Sequence, residues 1–200
     1  MRWNETGVTF SRPIRWFTAL LDEHIIEFDY AGLESSRVTI GPRPAGSPRI
    51  ALAAAGDYAS TLASYGVIVD VKARQAEVLR QAQDVAADVC RQIPDDPALL
   101  EEVANLIEAP TAILGSFEEE YLALPQEVLI AVMKKHQRYF PVLDEEGKIM
   151  ATFVTIHNGG REHLDLVRQG NEDVIRARYA DAAYFYSQDR RQPLAAYRDD

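Results

Sequence analysis

The sequence predicts an α+β fold, with mixed or antiparallel sheets, packed helices and a long helical segment at the C-terminal end. Runs with strand period and runs with helix period are interspersed irregularly, without the regular alternation of a parallel α/β sheet. Two short acidic turns, Asp22-Glu23 and Asp144-Glu-Glu-Gly147, separate neighbouring apolar runs as in hairpins. With 47% hydrophobic residues among 200, the chain has the material for a packed core.

Along the chain, residues 13–21 (PIRWFTALL) read as one strand and 24–30 (HIIEFDY) as its neighbour. Arg37–Ile40 is a third. Gly41–Pro48 carries three Pro and two Gly in eight residues and is a loop. Ala54–Tyr65 has helical spacing, and Val67–Val69 reads as a short strand. Residues 71–92 predict a long helix packed by Val78, Leu79, Val85 and Val89. Pro94 and Pro97 end it and start another, Ala98–Ile107. Thr111–Phe117 is a strand. Pro125 opens a helix that carries Val128, Leu129, Val132 and Met133 and runs out near His136. Gln137–Leu143 and Lys148–His157 form a hairpin around the second acidic turn. Asn158-Gly-Gly160 breaks the chain. Helical pattern then runs from about His163 onward, with Gly170 a candidate interruption. The division predicted is residues 1–160 as one domain and 161–200 as a helical segment. The pattern at both ends, without a closing cap, reads as that of an internal piece.

Composition narrows the function. Net charge is −10, from 21 Lys and Arg against 31 Asp and Glu. An autonomous nucleic-acid-binding module is usually basic, because phosphate neutralisation supplies most of its affinity. Any nucleic-acid contact therefore rests on a local patch. The single cysteine, Cys90, rules out an internal disulfide framework, suits a reducing cytosol and reads as a small core residue. Apolar runs are strand-sized and no secretory signal is present, which gives a cytoplasmic reading with no membrane association.

No catalytic constellation emerges. His24, His136, His157 and His163 lack metal-ligand spacing, and there is no glycine-rich phosphate loop or nucleophile elbow. Neither a catalytic nor a metal or cofactor site is expected. The chemistry-bearing stretches are two. Lys134, Lys135, His136 and Arg138 lie where a helix hands over to a strand. Cations there offset the helix C-terminus, or they form a corner that holds a phosphate. Tyr139 and Phe140 beside them stack on a base or enter the core. The three like charges repel one another, and neighbouring carboxylates relieve that only in part. In the second stretch Asn171 reads as a helix N-cap, Glu172–Arg176 and Arg178–Asp181 as pairs, and Val174, Ile175, Ala182 and Phe185 as the apolar face. Arg176 and Arg178 point to different faces, so at least one is available to a partner.

Phe10-Ser-Arg-Pro-Ile-Arg-Trp16, Phe117–Pro125, Met133-Lys-Lys-His-Gln-Arg-Tyr-Phe-Pro141 and Gly170–Tyr186 together resemble the beta subunit of bacterial α2β2 glycyl-tRNA synthetase. The resemblance spans nearly the whole chain, in order. One departure is Gly41-Pro42-Arg43-Pro44, where the family usually has Gly-His-Arg-Phe. The resemblance implies that residues 1–160 are an accessory domain like the B3/B4 domain of the phenylalanyl-tRNA synthetase beta chain. It further implies that residues 161–200 lead toward downstream beta-subunit domains. The implied role is support of tRNA(Gly) recognition and positioning, within an aminoacyl-tRNA ligase. The resemblance also implies an alpha subunit that binds ATP and magnesium and catalyses glycylation, with no cofactor in this segment. The alternative is a structural scaffold between beta-subunit domains and the alpha subunit, without RNA contact. Partners implied are the alpha subunit and tRNA(Gly), bound weakly by the isolated segment. Editing is not carried over, because a glycine site excludes every larger amino acid by clash. Candidate tRNA contacts are Lys134, Lys135, His136, Arg138, Arg176 and Arg178.

Overall fold

The computed structural model describes residue 2 and residues 4–88 and 92–192. They form two compact units, Met1–Asp70 and Val71–Asp200. This division by contact lies at Asp70, whereas the sequence reading divides the chain at residue 160.

The first unit is built from short strands. β1 (Phe17–Thr18) pairs parallel with β5 (Leu33–Ser36), and β5 pairs antiparallel with β4 (Asp29–Tyr30). β2 (Leu20–Leu21) and β3 (His24–Ile25) make the hairpin around Asp22-Glu23, with Asp22 in the left-handed region at φ 51°. Residues 13–21 are therefore not one strand. Ala19 separates β1 from β2, donating to Ser36 O while its own carbonyl accepts from Ile26 N, so the chain changes partner there. β6 (Val38–Ile40) pairs with β7 (Arg49–Ala51) across the Pro-rich loop, whose centre is a 3-10 turn at Arg43–Ala45. The Arg37 guanidinium donates to Leu52 O and Glu23 O, both at 3.0 Å, tying the loops together. α1 (Tyr58–Ala63) supplies Leu62 to a small core with Ile50 and Val67. Residues 67–69 are not a strand: Val67 N donates to Leu62 O, closing α1, and Val67 is buried.

The second unit is a three-layer sandwich. Its central sheet has the order β8 (Pro110–Ser116), β10 (Ile149–Asn158), β9 (Phe140–Leu143), antiparallel throughout. Consecutive residues face opposite layers. Val154, Phe140 and Val142 pack under α2 (Val71–Ala87) and α3 (Pro97–Leu106), with Val78, Ala82, Leu99 and Val103. Phe153 and Tyr139 face the other way, into α4 (Gln126–Ala131), the turn after it and α5 (Leu164–Asp189), with Leu129, Met133, Ile175 and Tyr179. Burial on both faces explains the nearly continuous apolar run of β10.

Helix details depart from the sequence reading in several places. Val78, Ala82 and Ala86 are the buried residues of α2, as the helical spacing places them, while Leu79 and Val85 on the flanks of that stripe are only half-buried. Val89 and Cys90 lie outside the described residues. α5 runs through Gly170 without interruption. Asn171 is therefore not an N-cap. It lies inside the helix, its Nδ2 donating to Val167 O at 2.7 Å and its Oδ1 accepting from Tyr139 Oη at 2.6 Å. The apolar face of α5 is Ile175, Tyr179, Ala182, Ala183 and Tyr186. Val174 and Phe185 lie outside it, 40% and 62% exposed.

Candidate nucleic-acid interface

The basic corner grows from the end of α4. Leu129 and Met133 are fully buried and fix that helix against the sheet. The chain then widens into a π-helical turn at Val132–Gln137. Arg138 follows in the left-handed conformation, at φ 57° and ψ 37°. Tyr139 N donates to Met133 O at 3.0 Å, a closure six residues long that matches the widened turn. A π turn inserts one residue into a helix and is often found at functional sites.

Directly after the turn, Tyr139 and Phe140 are 4% and 2% exposed. Neither ring is open to a base. Tyr139 stacks on Phe153 at 4.6 Å between centroids and 12° between planes. Phe153 in turn lies over Gly115, where an added Cβ would come within 2.5 Å of the ring. A glycine on β8 is thus what lets the ring pair sit beneath the corner. Burial pushes the Tyr139 hydroxyl up to about 12.

The sequence reading leaves the charges of Lys134, Lys135 and Arg138 largely unrelieved. The structure corrects this for Lys134 and Arg138. Lys134 Nζ pairs with Asp96 Oδ2, and Arg138 Nε donates to Glu102 Oε1 at 2.8 Å. Both carboxylates belong to the start and middle of α3. Asp96 has two tasks, since its Oδ1 also accepts from Leu99 N at 3.0 Å and caps α3. Burial works to raise the Asp96 pKa, but the Lys134 ammonium and the Leu99 amide outweigh it and hold the carboxyl below its ordinary value. Lys135 and His136 project from the middle of the turn and are exposed. Among the described residues neither side chain forms an ion pair.

On α5, Arg176 does not pair with Glu172. Its Nε donates to Glu118 Oε1 at 2.5 Å and its Nη1 to Asp173 Oδ1 at 2.6 Å. Arg176 holds the Glu118 carboxyl below its usual range. Glu172 instead accepts from Ser116 N and Oγ, at 2.9 and 3.1 Å, tying α5 to the end of β8. Glu118 stands at the start of the turn Glu119–Ala123 and stays partly exposed in this pair. Arg178 is exposed and, among the described residues, forms no ion pair with Asp181.

The six candidates therefore separate. Lys134, Arg138 and Arg176 are neutralised in place, while Lys135, His136 and Arg178 face solvent. Asp96 and Glu102 were missed by the sequence reading. Asp96-Pro97 does carry a helix-start signal, but nothing local links Glu102 to a residue 36 positions later. No group of three or more His, Cys, Asp or Glu among the described residues is placed to hold a metal ion. No described helix is long and apolar enough to cross a membrane.

A family model described as "Glycyl-tRNA synthetase beta subunit" matches residues 1–200. Curated relatives carry the name glycine–tRNA ligase beta subunit. That of Desulforudis audaxviator is 46% identical over 194 residues, covering 97% of this chain and 28% of the relative. Those of Desulforamulus reducens and Moorella thermoacetica are 41% and 43% identical over 196 residues, covering 98% of this chain and 28% of each relative. The chain thus spans 28% of the length of these relatives.

Proposed function

The chain belongs to the glycyl-tRNA synthetase beta subunit family, and on that premise we propose that it supplies an accessory segment that helps position tRNA(Gly) for ATP-dependent glycylation. In this reading the alpha subunit binds ATP and magnesium and performs the chemistry, in a cytoplasmic α2β2 enzyme. This segment contributes contacts to the RNA backbone. The observation that carries the reading is the exposed Lys135–His136 pair on a π turn, whose side chains form no ion pair among the described residues. Lys134 and Arg138 then act as braces that hold the turn to α3. Lys135 is left as the phosphate contact, with His136 and Arg178 as neighbouring candidates.

The scaffold reading has its own support. Net charge is −10, and Asp96, Glu102, Glu118 and Asp173 neutralise the cations nearest them. The two readings diverge in one experiment. Lys135→Ala in the assembled synthetase should weaken tRNA binding and lower the slope of log affinity against log salt by about one unit. Glycine-dependent pyrophosphate exchange should stay unchanged. Normal binding with an unchanged salt slope would leave the scaffold reading standing.

A further inference from the structure

We propose that Arg138 is a second phosphate ligand beside Lys135, and that Glu102 is the residue that positions it. The pair with Glu102 neutralises net charge but leaves most of the guanidinium's hydrogen-bonding capacity unused. Nε donates to Glu102 Oε1 at 2.8 Å, and Nη1 reaches the His136 carbonyl at a long 3.4 Å. Among the described residues Nη2 has no acceptor. A guanidinium carries five N–H donors in a rigid fork. Held along one side, it presents the remaining donors as a planar pair that matches two oxygens of a phosphate. The Arg138 side chain is 42% exposed, so a group of that kind can approach it.

Stability does not account for an arginine at this position. The turn is already tied to α3 by Lys134 and Asp96, whose carboxylate is 16% exposed and also caps the helix. The Arg138–Glu102 pair is far more open, with Glu102 48% exposed, and such pairs contribute little. At φ 57° and ψ 37° the backbone favours Gly or Asn, yet the residue there is a long cation. Lys135 and His136 precede it on the same turn, exposed and without ion pairs among the described residues. Cations gathered on one turn select an anion. The inference rests on the tRNA contact proposed for this corner, which makes that anion a backbone phosphate. Glu102 contributes by preorganisation, because a long side chain already held in the binding geometry loses less freedom when the phosphate arrives.

Salt-dependent tRNA(Gly) binding by the assembled synthetase tests both halves. Arg138→Gln should lower the slope of log affinity against log salt by about one unit, and Lys135→Ala combined with Arg138→Gln by about two. A slope in the double variant no smaller than in Lys135→Ala alone overturns the contact, since Arg138 would then act only by holding Lys135 in place. Glu102→Gln and Glu102→Ala remove the same charge, but only the first keeps an acceptor for Nε. Glu102→Gln should bind tRNA about threefold or more tighter than Glu102→Ala, and the difference should vanish in the Arg138→Gln background. Equal affinities, or a difference that persists in that background, overturn the positioning role. An unchanged slope in Lys135→Ala counts against the Lys135 contact alone, because the effect of Arg138→Gln is read separately.

Discussion

Arg138 Nε donates to Glu102 Oε1 at 2.8 Å, so the residue that closes the π turn is held by a side chain of α3. Both partners are roughly half exposed, and exposed ion pairs contribute at most about 1 kcal/mol. Asp96 does more, because it caps α3 and pairs with Lys134 from a nearly buried position. Glu102→Gln should therefore cost less than about 1 kcal/mol in urea unfolding. Asp96→Ala should cost about 1–2 kcal/mol. Equal costs would show that the cap contributes nothing.

The same contrast has a pH signature. The Asp96 carboxyl is held below its ordinary value when folded. A depressed carboxyl stabilises above the unfolded pKa and loses that stabilisation as pH falls through the folded one. The gap between the native chain and Asp96→Asn should be full at pH 7 and shrink below about pH 4. A gap that is constant down to strongly acidic pH would contradict it.

Tyr139 gives the opposite sign. Its folded pKa is pushed up to about 12. A group whose pKa rises on folding stabilises fully below the unfolded value and loses that contribution as pH rises through the folded one. Stability should thus fall between about pH 10 and about pH 12, and Tyr139→Phe should flatten part of that decline. At neutral pH the Phe variant should lose about 1 kcal/mol, because Asn171 Oδ1 loses its 2.6 Å donor. An alkaline limb identical in both proteins would rule this out.

Gly115 carries a steric prediction. The Phe153 ring occupies the space a side chain would need, and it cannot move without disturbing its stack on Tyr139. Gly115→Val should destabilise by about 1–3 kcal/mol and shift near-ultraviolet circular dichroism of the tyrosines. A neutral outcome would mean that the ring has somewhere else to go.

Much of the second unit is legible in the sequence because its signals are local. Period and breakers place α2, α3, the strands around Asp144–Gly147 and the helical C-terminal run. The first unit is less legible because its strands are two to four residues long and change partners within a single apolar run, as at Ala19. The inner face of α5 is misread for a different reason. Tyr179 looks amphipathic, yet it is fully buried because its hydroxyl donates to Leu129 O at 3.2 Å. That partner lies 50 residues away, out of reach of any local pattern. The corner itself was visible as charge. Its neutralisation by α3 was not, since paired and free lysines are written with the same letter.

The sheet order of the second unit sets which contacts hold the corner. β9 and β10 are joined by the five residues 144–148, a local connection, whereas residues 117–148 lie between β8 and its partner β10. α4, the π turn and its cations lie inside that loop. The pairing of Phe153 with Gly115 and of Arg138 with Glu102 closes that loop from two sides, so the final geometry of the corner rests on contacts far apart in sequence.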